Sequence, residues 1–394
     1  MKHITRTVWV LSLISLFTDA ASEMLYPVMP MFLKSIGFTV FLIGILEGIA
    51  EAVAGLSKGY FGRLSDSMGK RVPFVQAGYA LSSLSKPLLA ILSGPIWVFV
   101  SRTGDRIGKG IRTGARDAML ANESTPANRA SIFGFHRSMD TLGAVLGPLM
   151  ALGYLYYNPG SYKALFAIAL IPGILAILTS FLLKERAFVP TDSRTNRVRF
   201  FEFLGYWKKS PPLYRQLVTG LLLFALVNSS DVFLLLKARD SGLNETAVVG
   251  IYIFYNLVYA IAAFPIGILA DRIGFKWVFI LGLLFFALVY AGMTIATSWV
   301  FFLLLFFMYG LYAAATEGVG KAWISLLSKK EDTATAIGCY TAFQSIASLL
   351  ASSLTGFIWF RFGAATAFLL PVIVSFFLCF YFARIGPTLK MPNE

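Results

Sequence analysis

The chain has 394 residues, 57% of them hydrophobic and only 14% charged, with a mean hydropathy of +0.72. Soluble domains carry about 25% charged residues, so too little polar surface remains here for a water-soluble fold. An ordinary soluble enzyme, a disordered chain, a collagen and a disulfide scaffold are excluded together. Lys and Arg outnumber Asp and Glu by 34 to 20, a net charge of +14, and that excess has to be read by position, because basic residues held in cytoplasmic loops orient a membrane protein.

Taken in chain order, windowed hydrophobicity predicts twelve spans, with cores near 8–34, 38–61, 74–93, 96–120, 129–156, 161–183, 214–237, 246–268, 277–296, 299–327, 334–360 and 364–384. The expected fold class is an all-α membrane protein of twelve transmembrane helices in two pseudo-symmetric six-helix bundles. The first run, from about Val8, is too long for the core of a signal peptide and lacks a small-residue cleavage site, so it is expected to stay as the first span. Ser93-Gly94-Pro95 is the turn between the third and fourth spans.

A polar stretch from Lys184 to about Arg215 contains Arg186, Arg194, Arg197, Arg199, Lys208 and Lys209. It divides the chain into a bundle at 1–184, a basic linker at 185–213 and a bundle at 214–394. With an even number of spans, both termini and the linker share one side. That side also receives Lys2, Arg6, Arg63, Lys70, Arg71, Arg129, Arg272, Lys276, Lys329 and Lys330, against few basic residues such as Lys163 and Arg239 opposite. The expected placement is therefore multi-pass in a bacterial-type cytoplasmic (inner) membrane with cytoplasmic termini. Cys339, Cys379, His3 and His136 are too few and too scattered for a metal cluster or disulfide framework.

The halves echo each other. Gly62-Arg63-Leu64-Ser65-Asp66-Ser67-Met68-Gly69-Lys70-Arg71 between spans two and three matches Gly267-Ile268-Leu269-Ala270-Asp271-Arg272-Ile273-Gly274-Phe275-Lys276 between spans eight and nine. The start of span five, 129–136, echoes the start of span eleven, 333–340. Six-span repeats around a midplane site are how many secondary transporters are built. The loop Gly62-x-Leu64-x-Asp66-x-x-Gly69-Lys70-Arg71 resembles the signature loop of the major facilitator superfamily, and the resemblance covers essentially the whole chain. Asp105-Arg106-Ile107-Gly108-Lys109-Gly110-Ile111-Arg112-Thr113 and Phe133-Gly134-Phe135-His136-Arg137 are similar to a widespread bacterial branch of that superfamily. The resemblance implies a gating role for Gly62, Asp66, Gly69, Lys70, Arg71, Asp271 and Arg272. It also implies a central cavity lined by spans one, four, seven and ten. The family's fourth-helix arginine corresponds to Arg106 by motif or to Arg102 by distance from the signature loop.

Charges inside spans cost about 2.5–3.5 kcal/mol each at a helix centre, so each must face a cavity or a partner. Asp19 and Glu23 share a face of span one, Glu47 and Glu51 a face of span two, and His136 a face of span five with Asp140, beside Arg137. On span four, Arg102, Asp105, Arg106, Lys109, Arg112 and Arg116 fall within an arc of about 120°. The upper members are read as lining the cavity, and Arg112 and Arg116 as snorkelling at the cytoplasmic interface. Asp19, Glu23, His136 and Asp140 are the proton-coupling candidates, with a static ion-pair network as the competing reading. Arg102, Asp105, Arg106, Lys109, Asn228, Asp231, Tyr255, Asn256, Glu317 and Gln344 are the substrate-binding candidates. In span five, Gly143, Gly147, Pro148 and Gly153 partly match the superfamily's exporter motif, or serve ordinary small-residue packing.

These readings predict a proton-coupled secondary transporter, an exporter (antiporter) of a small charged or zwitterionic organic solute working by alternating access. A lipid or lysolipid flippase or a metal-chelate exporter is the alternative on the same fold, and a membrane-embedded enzyme or receptor the remote one. No enzymatic activity, metal or cofactor is expected, and the proton gradient is the expected energy source. The expected partners are a small-molecule substrate, protons and membrane lipid, without nucleic acid, and the expected state is a monomer.

Overall fold

The computed structural model describes residues 4–26, 29, 32–33, 36–38, 40–92, 94–185 and 198–385. Arg186, Arg194 and Arg197 of the linker lie outside the described residues, as do Lys2 and His3, and so do the side chains of Glu47 and Glu51. Helices appear at every predicted span. The first six are Arg6–Leu25, Val40–Met68, Val72–Ser85 with Leu88–Ile91, Pro95–Asn122, Arg129–Tyr157, and Tyr162–Ile168 with Leu170–Ser180. The second six are Pro212–Ala225 with Val232–Asp240, Glu245–Ile273, Phe275–Met293, Trp299–Leu326, Thr333–Phe362 and Ala364–Arg384. Among the described residues, seven helices are long and apolar enough by composition to cross a membrane. Five predicted spans miss that criterion, two and five among them; spans three and seven are broken, at Lys86-Pro87 and over 226–231, and span four carries its charged stripe.

Compactness groups the chain into two units that exchange short stretches relative to the sequence halves. The first unit holds residues 1–123, 139–209 and 329–345, and the second holds 124–138, 210–328 and 346–394. The start of span eleven thus packs with the first unit, and the start of span five with the second.

In the first unit, span four is wedged between its neighbours by glycine. A Cβ on Gly108 would strike the Gly78 carbonyl and Ser82, one on Gly110 would strike Ser57, and one on Gly114 would press on Gly62. Counted at 100° per residue, Gly104 and Gly108 lie on one flank of the charged arc and Gly110 and Gly114 on the other. One helix therefore packs tightly on spans three and two while its charges occupy the face between. The second unit is built mainly on apolar and aromatic contact. Phe224, Phe279, Phe286, Tyr290 and Tyr312 interlock with ring centroids 4.2–6.4 Å apart, mostly at the separations where edge and offset geometries are favourable.

Candidate functional site

Two clasps and two polar interiors account for most of the chemistry. In the first unit, Asp66 sits at the end of span two and is fully buried. Its Oδ2 accepts from the Thr335 amide and hydroxyl, each at 2.7 Å, and its Oδ1 meets Arg71 Nη2 at 3.1 Å. A carboxylate at the first turn of span eleven satisfies an amide that the helix leaves unpaired and complements the helix dipole. Arg71, also buried, donates to the Lys330 carbonyl at 3.3 Å. Gly69 takes a positive φ of 63° to turn the chain between Asp66 and Arg71. Gly62 permits contact with the Ala334 carbonyl, where any side chain would collide. Two acids that the sequence reading did not single out complete the arrangement. Glu185 caps span three by accepting from the Arg71 and Val72 amides at 2.9–3.1 Å, and Glu202 takes a bifurcated pair of hydrogen bonds from Arg63 at 3.0–3.1 Å.

The second unit repeats the device. Asp271 accepts from the amides of Ala130 and Ser131 at 2.8 Å each, capping the first turn of span five. Gly267 lies against the Ala130 carbonyl as Gly62 lies against that of Ala334. Arg129 Nη1 donates to the Ser325 carbonyl at 2.9 Å. Of the residues expected to gate, Gly62, Asp66, Gly69, Arg71 and Asp271 belong to the clasps, whereas Lys70 and Arg272 are exposed.

The interior of the first unit is a network of opposite charges. Gly143 and Gly147 bring span five onto the backbone of span one at Leu16 and Ala20. That approach lets Ser15 hydrogen-bond to Asp140 and sets Asp19 beside Asp140, with Lys109 and Arg112 supplying opposing charge. Gly143 and Gly147 thus serve close packing, while a Cβ at Gly153 would meet nothing within 4 Å. Arg112 and Arg116 correct the expectation of snorkelling: both are buried, at 4% and 8% exposure. Arg112 lies 4.3 Å from the centre of the Tyr79 ring, and Arg116 pairs with Asp117 at 2.9 Å while reaching Ser15 at 3.5 Å. A guanidinium is weakly hydrated and stacks on rings, which lets it stay inside. Lys86, absent from the sequence candidates, is buried and held by Asp105 at 2.8 Å and by the Ser82 carbonyl and hydroxyl at 2.8 and 3.1 Å. Glu23, Arg102, Asp105, Arg106 and Gln344 are half-buried and Lys109 is exposed.

In the second unit, Asp231 occupies the break of span seven and accepts from Tyr309 Oη at 2.6 Å and Tyr255 Oη at 3.0 Å. Tyr309 was not among the sequence candidates. Asn228 lies in the same break, with its Oδ1 buried and unpartnered among the described residues. Asn256 is turned to its own helix, donating to the Tyr252 carbonyl at 2.9 Å. Arg137 pairs with Glu317. His136 is buried in the second unit, whereas Asp140, one turn along the same helix, belongs to the first. Among the described residues no group of three or more His, Cys, Asp or Glu is placed to hold a metal.

The sequence profile described as Major Facilitator Superfamily matches residues 11–254 and 232–394, together nearly the whole chain. The chain belongs to the Major Facilitator Superfamily. It is 31% identical over 388 residues to the uncharacterized MFS-type transporter MJ1317 of Methanocaldococcus jannaschii, covering 95% of this chain and 96% of that protein. Among solved structures it is similar to the human organic anion transporter MFSD10, with a TM-score of 0.75 at 15% identity over 96% of this chain and 99% of that one. It is also similar to the E. coli fucose:proton symporter FucP, with a TM-score of 0.78 at 14% identity over 98% of this chain and 100% of that one. The protein is thus a multi-pass membrane transporter of the major facilitator fold, made of two pseudo-symmetric six-helix bundles, and not an enzyme.

Proposed function

We propose that this member of the superfamily is a proton-coupled antiporter that exports a small charged or zwitterionic organic solute from the cytoplasm by alternating access. It sits in a bacterial-type inner membrane with its termini and both clasps on the cytoplasmic side. The observation that supports it best is the pairing of Asp19 with Asp140 inside the first unit, opposed by Lys109 and Arg112. Two adjacent carboxyl groups resist ionising together. A proton shared between them is therefore released or taken up when a nearby cation moves or is claimed by an anionic solute. Ser15 holds one carboxyl in place, and Glu23 in the same unit is the candidate for passing the proton on. The stripe of Arg102, Asp105, Arg106 and Lys109 then supplies the solute-binding wall. The two structural neighbours are named for different solutes, organic anions and fucose, so the common fold does not choose between substrates.

The test begins with a thermal-shift screen of organic anions and zwitterions on the purified protein, followed by counterflow of the best hit in proteoliposomes loaded with a pH dye. A gradient of that solute is expected to drive protons the opposite way. Asp19→Asn and Asp140→Asn should abolish the pH signal while solute counterflow persists. An unchanged pH signal after neutralising Asp19, Glu23 and Asp140 together refutes the coupling assignment.

A further inference from the structure

The second unit contains a charge imbalance that proton coupling in the first unit does not use. Asp231 lies at the break of span seven, within the apolar body of its unit, where an uncompensated carboxylate is costly. Its two hydrogen bonds from other side chains come from neutral phenols, Tyr255 and Tyr309. The strongest charge acting on it is another acid, Glu317, and that acid is already paired with Arg137. No ion pair to Asp231 is formed among the described residues. The break also holds a surplus of acceptors. A carboxylate offers about four lone-pair sites; the two phenols and the backbone amide of its own residue fill three of them, while Asn228 Oδ1 is buried with no donor among the described residues. The two phenol donors belong to a chain of tyrosine rings: Tyr255 and Tyr309 have centroids 5.3 Å apart, Tyr252 lies 5.8 Å from Tyr255, and Tyr312 lies 5.2 Å from Tyr309.

A site with spare acceptors, one net negative charge and tyrosine faces calls for a group with several N–H donors and a positive charge. We infer that Asp231, Asn228, Tyr255 and Tyr309 form a subsite for an organic ammonium group, so that the solute carries an amine. Aromatic faces attract such cations through the ring quadrupole, and the carboxylate supplies the charge-assisted hydrogen bond. A metal ion is a weaker fit, since tyrosine hydroxyls already donate to both carboxylate oxygens. The inference rests on the transporter reading for its site, and on proton coupling not at all.

The experiment uses the full-length protein in nanodiscs at fixed pH and salt, with a panel of primary to quaternary amines, each matched to a neutral isostere; phenethylamine and 2-phenylethanol form one pair. At least one amine should raise the melting temperature and bind by calorimetry while its isostere does neither. Asp231→Asn and the conservative Tyr309→Phe should weaken that binding about tenfold or more, which is about 1.4 kcal/mol. Exchanging sodium for potassium should leave it unchanged. Equal responses to amines and isosteres, no response to any amine, stabilisation by sodium alone, or full amine binding by a folded Asp231→Asn protein each overturn the inference. Amine binding that persists after Asp19 and Asp140 are neutralised separates this subsite from the coupling proposal, whichever of the two fails.

Discussion

The two clasps solve one problem with different amounts of charge. Asp66 and Asp271 each cap the first turn of a helix from the other half of the sequence, and each sits beside a glycine that admits a backbone carbonyl. At Asp66 the carboxylate is fully buried and bound to a buried arginine from its own loop. At Asp271 it is half-buried, and the arginine acting on it, Arg129, comes from the capped helix. The capping geometry was duplicated with the repeat, while the supporting arginine is drawn from the loop at one clasp and from the capped helix at the other. The interiors diverge further, with opposed charges in the first unit and one carboxylate among tyrosines in the second.

The largest expected effect breaks this asymmetry directly. Asp66→Ala strands Arg71 in a buried position, and removing one partner of a buried pair costs about 3–5 kcal/mol. Asp271→Ala removes a cap, worth about 1–2 kcal/mol. Hydrogen exchange of the first turns of spans eleven and five measures the two separately. Equal losses of protection would show that Arg71 adds nothing to its clasp.

A second contrast lies inside the first unit, at the Lys86–Asp105 pair. Lys86→Met alone leaves the half-buried Asp105 without its paired cation and should destabilise by about 3 kcal/mol, the low end for a broken pair, because Asp105 keeps the Ser82 hydroxyl and the nearby charge of Arg106. The double variant Lys86→Met with Asp105→Leu should recover most of that in a thermal melt, because apolar replacement of a buried pair is often close to neutral. If the double variant melts like the wild type yet fails in counterflow, the pair serves transport. If it melts and transports normally, the pair only holds spans three and four.

How much of this was legible in the sequence depends on the range of each interaction. The twelve spans follow from local hydropathy, and the clasp acids from a loop motif repeated in both halves. Their partners were not legible, because Thr335 lies 269 positions from Asp66 and Ala130 lies 141 from Asp271. Lys86 disappeared in a windowed average over an apolar span, although a lysine preceding a proline inside such a span is itself a signal. Tyr309 was hidden by number: among 17 Tyr and 36 Phe, periodicity cannot separate a ring that packs from one that donates to a carboxylate. Arg112 and Arg116 were placed at the interface because nothing near them in sequence announces Tyr79.

The glycines at the clasps offer a matched and smaller test. Gly62→Val and Gly267→Val each drive a side chain into a carbonyl of the capped helix, an overpacking that costs about 1–3 kcal/mol. Because the two contacts are copies, the losses in thermal melts should agree within the scatter of the measurement. A large difference would mean that the clasps are alike in sequence register but not in rigidity.

The smallest effect is expected at the motif's exposed cations. Lys70 follows Gly69 and Arg272 follows Asp271, yet both side chains are exposed while Arg71 and Arg129 are buried. Surface substitutions away from special features stay within about 0.5 kcal/mol, so Lys70→Ala and Arg272→Ala should melt like the wild type in detergent. Their charge can still act on an anionic membrane surface, where each basic residue is worth about 1 kcal/mol and is screened by salt. The same variants should therefore differ from the wild type in anionic nanodiscs at low salt and converge with it at high salt. An equal loss in detergent and in nanodiscs would instead assign these two cations to the clasps themselves, alongside Asp66 and Asp271.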